Sequence, residues 1–296
     1  MDNRVLFKRD IKEKQELVNI ILDRFLPRKD EYPKEIHKAV RYSLFAGGKR
    51  LRPYMCILAW QLFQEDPEPI TYVAAALEMM HTYTLIHDDL PDIDNDEYRR
   101  GKKSCHALFG SEVALLAGDA LLISAFELVT WAPLPEKVKT TLVSEMARDC
   151  GANGLIAGQM LDIESEGKKP DKKKLQYIHE NKTAKLINMS LRFGAQAAGA
   201  EAEDLAALEE YGNNIGMAFQ IVDDLLDIEG DPEELGKSVG KDAESGKLTF
   251  PAVYGIEKSH QMAEQHKQTA KKALTRFGNK AVFLDMLADL VTQRTS

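Results

Sequence analysis

The amino-acid sequence predicts an all-α protein that folds as a single domain over residues 1–296. Apolar residues recur at spacings of three and four, which is the period of a helix with one buried face. Strand-like alternation of apolar and polar residues is nearly absent. Glycine and proline cluster between the apolar segments, as is typical of junctions between helices.

The helical stripes follow one another along the whole chain. The predicted helical segments are 11–26, 36–46, 53–63, 70–87, 111–130, 136–157, 173–199, 203–228 and 281–292. The predicted junctions, rich in glycine, proline or charge, are 46–53, 65–69, 132–135, 166–174 and 229–242. No internal repeat or linker between domains interrupts this series.

Composition excludes several classes of protein. Hydrophobic residues make up 44% of the chain, which is enough for a core. The formal net charge of −8 argues against a general binder of nucleic acid or of anionic membranes. The longest apolar run, 113–131, contains Asp119 and Glu127, so a buried helix is expected there and no membrane insertion.

The cysteines indicate a reducing compartment. Cys56, Cys105 and Cys150 are odd in number, far apart and without the spacing of a metal site. The first ten residues do not resemble a secretory signal. A cytoplasmic protein is therefore expected.

The stretch 87–103 carries the first acidic cluster. Asp88 and Asp92 align on a helix, whereas Asp94 would lie about 240° around a straight one. Pro91 removes a backbone donor, so the helix is expected to end or distort here. An opened turn of this kind can bring Asp94 back towards Asp88.

The second acidic cluster lies inside a helical pattern in the stretch 219–231. On a helical wheel Gln220, Asp223, Asp224 and Asp227 fall within about 100° of arc. One face therefore carries an amide and three carboxylates. Such a face cannot pack into an apolar core without cations, because like charges repel and resist desolvation.

Two acidic clusters on apolar helices indicate a magnesium and diphosphate site. Carboxylates without histidine or cysteine suit Mg²⁺, whose shell is completed by water and substrate phosphates. Phosphates in turn need bases, since arginine forks and lysine charges bind their oxygens. The candidate bases are Lys49, Arg50, Arg52, Arg99, Arg100, Lys182, Lys237 and Lys241. Gly47 and Gly48 let the backbone approach an anion closely.

These residues resemble the ordered motifs of the trans-isoprenyl diphosphate synthases, in particular the bacterial farnesyl diphosphate synthase (geranyltranstransferase) type. The matching motifs are FAGGKRLRP, HDDLPDIDNDEYRRGK, LAGDALL, GQMLDI, ENKTAKL, FQIVDDLLDIEGD, GKSVGKD and KLTFPAVYG. The resemblance implies long antiparallel helices around a deep central pocket, the isoprenoid synthase fold, usually as a homodimer. It also implies Mg²⁺-dependent head-to-tail condensation of isopentenyl diphosphate with dimethylallyl or geranyl diphosphate, giving farnesyl diphosphate (C15).

The resemblance assigns roles residue by residue. It implies three Mg²⁺ ions, or Mn²⁺ in their place, on Asp88, Asp89, Asp92, Asp94, Asp223 and Asp227, with Asp224 in support. It implies an isopentenyl diphosphate site of Gly48, Lys49, Arg52, His81, Arg100 and Phe219. It implies catalytic clamps on the allylic diphosphate at Arg99, Lys182 and Lys237. It implies catalytic stabilisation of the allylic cation by Thr183 and Gln220, with Gln159 and Asp162 beside the pocket.

The resemblance implies that the residues just before the first aspartate set the length of the product. Thr84 lies one helical turn before Asp88, about 6 Å along the axis. Tyr83 is offset by about 140°, so its role as the floor of the pocket rests on the resemblance. An aromatic residue there is similar to the C15-forming type, and the alternative is that Tyr83 is an ordinary core residue.

Three other functions use related motifs. A synthase of C20 geranylgeranyl diphosphate is the nearest. A class I terpene cyclase usually carries serine or threonine at the position of Asp227 and glutamate near that of Asp231, and this chain has neither. A cyclase also does not need the GGKRLRP motif. A non-catalytic partner subunit of a prenyltransferase commonly loses aspartates or bases, and this chain keeps them.

Overall fold

Helices form nearly all of the regular structure. The computed structural model describes residues 3–230, 240 and 246–292. The helices are α1 (Asn3–Phe25), α2 (Lys34–Leu44), α3 (Leu51–Gln61), α4 (Glu68–Asp88), α5 (Cys105–Phe109), α6 (Ser111–Trp131), α7 (Glu136–Cys150), α8 (Leu155–Ser165), α9 (Lys172–Ile178), α10 (Lys185–Ala197), α11 (Ala202–Glu229), α12 (Phe250–Tyr254), α13 (Ile256–Ala273) and α14 (Val282–Thr292). A π-helix, His179–Ala184, joins α9 to α10, and a 3₁₀ helix, Leu274–Ala281, joins α13 to α14.

The strands in this part of the chain are a short antiparallel pair, β1 (Tyr98–Arg99) and β2 (Lys102–Lys103). The prediction of an all-α class is confirmed. Residue contacts divide the chain into two compact units, one of Met1–Ile57 with Asp66–Val143 and one of Leu58–Glu65 with Ser144–Ser296. The single domain over 1–296 stays a prediction.

The first unit is organised around α4. This helix is apolar on nearly every side and is buried along most of its length, as a helix without a polar face must be. It packs chiefly against α6, where Gly118 makes room for the ring of His87. A Cβ atom at Gly118 would lie 2.2 Å from Nε2 of His87, so only glycine permits this approach.

One face of α6 is buried and another is exposed. Ala117, Leu121 and Ala125 are fully buried, whereas Leu116 and Ile123 are exposed. The expectation of a buried helix at 113–131 is therefore met by one face only. By length and composition α6 could cross a membrane, and the core helices of many water-soluble proteins pass the same test.

The second unit is organised around α11. This helix packs against α13, α10 and the π-helix, and Tyr211 at its centre is fully buried with its hydroxyl donating to the Leu284 carbonyl. One apolar cluster of this unit consists of Leu175, Ile178, Ile221, Val222, Leu225, Leu248, Phe250 and Ala263. It fixes the C-terminal half of α11, which carries the second acidic cluster.

Two predicted segments are divided in the structure, and the helices α5, α12 and α13 were not predicted. The segment 136–157 covers α7 and only the start of α8, which continues to Ser165, and the two are separated at a turn where Gly154 packs against the backbone of Asp149. The segment 173–199 is α9, the π-helix and α10. Helix α13 was missed because it buries small residues, Ser259, Ala263 and Ala270, rather than an apolar stripe.

Candidate active site

The first acidic cluster begins where α4 ends. The backbone N–H of Asp94 donates to the carbonyl of Asp88 at 2.9 Å. Asn95 has a φ of +51°, a conformation that asparagine tolerates, and it completes the turn. The chain therefore folds back at Pro91, as the opened turn predicted, with Asp88 and Asp94 half-buried and Asp92 exposed.

Asp89 differs from its neighbours because it is buried and paired. Its carboxylate accepts from Nε of Arg99 at 3.0 Å, and a second guanidinium nitrogen also contacts it. Burial raises the pKa of Asp89, and the hydrogen bond from Arg99 opposes that rise. Arg99 also lies 3.4 Å from Asp96, so it joins the turn to the strand pair.

A basic patch lies in the same unit. Gly48 has a φ of +114°, and a Cβ atom there would lie 2.5 Å from the guanidinium of Arg100. Arg100 also donates to the Gly47 carbonyl. This conformation and this close approach both require glycine at position 48. The backbone beside the exposed Lys49 is held by a bond from Gln15 to the Lys49 carbonyl.

Arg52 and His81 meet in this unit as well. A guanidinium nitrogen of Arg52 lies 3.2 Å from Nε2 of His81. Burial, and then the charges of Arg52 and Arg100, hold the pKa of His81 well below its ordinary value. The ring is therefore neutral near pH 7, and its Nε2 accepts a hydrogen bond from Arg52.

Arg50 does not belong with the other candidate bases, which corrects the sequence-based expectation. Its side chain is buried and donates to the buried carboxylate of Glu78 at 2.6 Å and to the Leu44 carbonyl at 2.5 Å. Because Arg50 is held by Glu78 in a buried ion pair, it stabilises the loop and does not face a phosphate. In the sequence this ion pair was indicated by Glu78, a single acid inside an apolar helix.

In the second unit Lys182 and Thr183 lie on the π-helix. Nζ of Lys182 donates to the Asp162 carboxylate at 2.6 Å. Gly158 of α8 packs so tightly here that a Cβ atom would lie 2.6 Å from the backbone nitrogen of Lys182. On the other side, a Cβ atom at Gly216 would lie 2.6 Å from Ala184. Two glycines therefore hold the π-helix between α8 and α11.

The second acidic cluster is on the last turns of α11. Asp223 is half-buried, whereas Asp224 and Asp227 are buried. Gln220 accepts a hydrogen bond from the Thr183 hydroxyl at 2.7 Å and donates to Asp224 at 2.8 Å. The remaining candidates of this unit, Gln159 and Phe219, are half-buried. The candidate bases Lys237 and Lys241 lie outside the described residues.

The two residues assigned to product length are on α4. Tyr83 is buried and packs edge-on against His87, with the ring centroids 5.6 Å apart. His87 in turn lies against the Leu115 carbonyl of α6, 3.1 Å from Nε2. Thr84 is half-buried, and its hydroxyl donates to the His81 carbonyl. Tyr83 thus fills space at the contact of α4 with α6.

The donor chemistry fits a magnesium ion. Asp88, Asp94 and Asp223 offer half-exposed carboxylate oxygens, the ligands that Mg²⁺ prefers. Among the described residues no three carboxylate, histidine or cysteine side chains form a ready-made metal cluster.

Known proteins are similar to this chain over nearly its whole length. Residues 33–287 match the model of the polyprenyl synthetase family. A geranylgeranyl diphosphate synthase from Cyanophora paradoxa is 42% identical, over 96% of this chain and 95% of that protein. A farnesyl diphosphate synthase from Geobacillus stearothermophilus is 40% identical, over 96% of each.

A solved structure agrees with these relatives. The geranylgeranyl pyrophosphate synthetase of Pyrococcus horikoshii Ot3 superposes with a TM-score of 0.89 at 30% identity, over 99% of both chains. The resemblance predicted from the motifs and the all-α fold are confirmed. The chain belongs to the polyprenyl synthetase family, and it is a prenyltransferase of the trans-isoprenyl diphosphate synthase type.

Proposed function

We propose that the protein condenses isopentenyl diphosphate with dimethylallyl and then geranyl diphosphate, giving farnesyl diphosphate. Membership of the family supports prenyl transfer between diphosphate substrates. The observation that carries the proposal is the basic patch of Gly48, Arg52, His81 and Arg100. The two clamps have other contacts, since Arg99 donates to Asp89 and Lys182 donates to Asp162. Two sets of bases suit an enzyme with two diphosphate substrates.

Magnesium is the proposed cofactor, or Mn²⁺ in its place. Asp88, Asp94 and Asp223 are its proposed ligands, supported by their partial exposure, and the exposed Asp92 and the buried Asp227 are further candidates. When bound, the metal supplies positive charge that stabilises the departing diphosphate. Asp89 is better placed to hold Arg99, because its oxygens already accept from that guanidinium.

The side chains of this chain provide the rest of the chemistry. Arg99, Lys182 and Lys237 neutralise the allylic diphosphate as its C–O bond breaks, which is catalysis by charges already in place. The oxygens of Thr183 and Gln220 stabilise the allylic cation that is left. His81 is neutral and accepts from Arg52, so its proposed role is to orient that base for isopentenyl diphosphate. The diphosphate leaving group takes the final proton.

The proposed product is C15, and C20 is the second candidate. The bulky, buried ring of Tyr83, one residue from the position a full turn before Asp88, supports the shorter chain. The relative from Cyanophora paradoxa, named a geranylgeranyl diphosphate synthase, favours the longer one.

The test is turnover by the purified chain alone. It is incubated with Mg²⁺, dimethylallyl diphosphate and labelled isopentenyl diphosphate, and the products are sized. Farnesyl diphosphate is expected, and Asp88→Asn or Asp223→Asn should each abolish its formation. Asp30→Asn, which changes an exposed acid elsewhere, should leave it unchanged. Absence of any prenyl product from the wild-type chain would overturn the proposal and favour a non-catalytic partner subunit.

We also propose that the protein is a cytoplasmic homodimer. Exposed apolar side chains on α6, such as Leu116 and Ile123, support a surface that a second copy covers. The three cysteines are free thiols, as a reducing compartment favours. A second copy is the occupant that the family resemblance implies.

A further inference from the structure

A chain of hydrogen bonds runs from Thr183 to the start of α12. The Thr183 hydroxyl donates to Oε1 of Gln220 at 2.7 Å, and Nε2 of Gln220 donates to Oδ1 of Asp224 at 2.8 Å. The other oxygen of Asp224 accepts from the backbone N–H of Phe250, also at 2.8 Å. Asp224 is 3% exposed, so both of its oxygens are occupied inside the protein.

This arrangement fixes the orientation of the Gln220 amide. A carboxylate only accepts hydrogen bonds, so the NH₂ end of the amide must face Asp224. The amide oxygen then faces Thr183 and takes the proton of its hydroxyl. Because that proton is committed, the lone pairs of the Thr183 oxygen point away from Gln220.

We propose that Asp224 is a positioning residue, which sets the Gln220 amide and through it aims the negative end of the Thr183 hydroxyl dipole at the allylic cation. The inference rests on the proposed function and deepens it, since it explains why the acidic motif has two adjacent aspartates. Asp223 is half-exposed and available to a metal, whereas Asp224 is turned into the protein. A dipole oriented before the reaction stabilises developing charge without reorganisation.

The bond to Phe250 gives Asp224 a second contact that strengthens its placement. Phe250 stacks on His179 at the start of the π-helix, with the ring centroids 5.1 Å apart. Asp224 is therefore connected to the π-helix on two sides, through Gln220 to Thr183 and through Phe250 to His179. Its carboxylate cannot turn towards solvent without breaking both hydrogen bonds.

The first test is Asp224→Asn. Gln220 and Phe250 donate to different oxygens of Asp224, and asparagine has an acceptor at only one of these two positions. We expect kcat to fall by about 10- to 100-fold, the order of magnitude for losing one oriented dipole. KM for both diphosphates and the Mg²⁺ concentration at half-maximal rate should change by less than about twofold. A raised Mg²⁺ requirement would make Asp224 a metal ligand and overturn the inference.

Binding gives a readout that does not depend on turnover. Calorimetry would compare an allylic diphosphate analogue carrying a trialkylammonium group at the cationic carbon with its neutral carbon isostere. Asp224→Asn should weaken the cationic analogue about tenfold and leave the neutral one within about twofold. Equal weakening of both would indicate a structural role alone and would overturn the inference.

A compensating pair keeps the test decisive if Asp224→Asn folds poorly. In the double variant Gln220→Glu with Asp224→Asn, the new amide donates to the new carboxylate, and its oxygen still accepts from Phe250. Every hydrogen bond is restored with the charge moved by one position, whereas Gln220→Glu alone opposes two carboxylates. The double variant should exceed both single variants in kcat by at least about tenfold, the coupling expected of contacting residues. Additive losses would overturn the inference, and normal prenyl transfer by the wild-type chain would leave the proposed function standing.

Discussion

At the residue scale, neighbouring side chains of one motif have different partners. Asp88 and Asp223 are half-exposed, whereas Asp89 and Asp224, one position later, are buried and hydrogen-bonded inside the protein. One residue along a helix is a rotation of about 100°, so adjacent carboxylates face different surroundings. The outer member of each pair is partly exposed, and the inner member holds the structure around it.

Tyr83 is the residue whose replacement tests product length. Tyr83→Ala removes a buried ring that packs against His87, and we expect the product to lengthen towards C20. Loss of the ring should also lower the free energy of unfolding by about 3–5 kcal/mol, so product size is measured and not rate. Tyr83→Phe keeps the ring and should keep the wild-type product. An unchanged product from Tyr83→Ala would make this residue an ordinary part of the core.

His179 predicts a loss of stability in acid. Burial lowers its pKa to about 4 from an ordinary value of 6.5. Between these two pH values the unfolded chain binds a proton at His179 and the folded protein does not. The contribution of neutral His179 to stability is therefore complete above pH 6.5 and falls as the pH drops. At about 1.4 kcal/mol per pH unit, the loss approaches roughly 3 kcal/mol near pH 4.

The comparison is between wild type and His179→Phe in urea unfolding at pH 8 and pH 5. The variant keeps the stack on Phe250 and removes the titrating ring. Its loss of stability between the two pH values should be smaller than that of wild type. The pH 8 measurement is the control, because the histidine is neutral in both states there. Equal losses in the two proteins would show that protonation of His179 does not contribute to the loss of stability in acid.

At the element scale, the π-helix is the irregular feature that carries catalytic candidates. π-helical turns are rare and are frequently found at functional sites. Here Gly158 and Gly216 press on it from α8 and α11, and they leave no room for a Cβ atom. The π-helical turn therefore cannot shift towards α8 or α11, and Lys182 and Thr183 are held in place.

Gly158→Ala should consequently lower catalytic activity by more than its loss of folding stability explains. A Cβ atom 2.6 Å from the backbone of Lys182 must push the π-helix away. We expect kcat/KM to fall by on the order of 10- to 100-fold, as for a small misplacement of a catalytic group. Gly212→Ala is the matched control, since its Cβ atom would also crowd a helix contact, at Leu191 and Asn188.

Both variants should be destabilised, by about 1–3 kcal/mol, because both overpack a contact between helices. Gly158→Ala should lose more, since its Cβ atom meets backbone, whereas that of Gly212→Ala first meets the end of the Leu191 side chain. Only Gly158→Ala should lose activity at a temperature where both are folded. Equal kcat/KM values in the two variants would show that the position of the π-helix does not matter for turnover.

The sequence predicted the helices that bury an apolar stripe and missed features that leave no such mark. The stripe of 203–228 gave α11 almost to the residue, and 281–292 gave α14. The π-helix was hidden inside 173–199 because one inserted residue barely alters the apolar spacing. Arg50 was grouped with phosphate-binding bases because its partner Glu78 is 28 positions away in sequence. Burial and long-range pairing decide such assignments, and spacing alone does not encode them.

At the scale of the whole molecule, the apolar helices differ in whether their apolar side chains are buried within the chain or exposed. Helices α4 and α11 bury most of their apolar residues within one chain, whereas α6 leaves Leu116 and Ile123 in contact with water. Scattered apolar residues on a surface are ordinary, but several on one face of one helix indicate a surface that another molecule covers. The proposed second copy would cover it and would make assembly part of stability.

Ile123→Glu tests that assembly. Ile123 is 67% exposed, so the substitution costs the isolated chain little, whereas burial of the new carboxylate between two copies would be strongly unfavourable. Light scattering coupled to size-exclusion chromatography should show a dimer for wild type and a monomer for the variant at micromolar concentration. Val5→Glu, at a residue 56% exposed on α1, is the matched control and should stay dimeric. A dimeric Ile123→Glu variant would mean that α6 is not the covered face, and a monomeric wild type would exclude the homodimer.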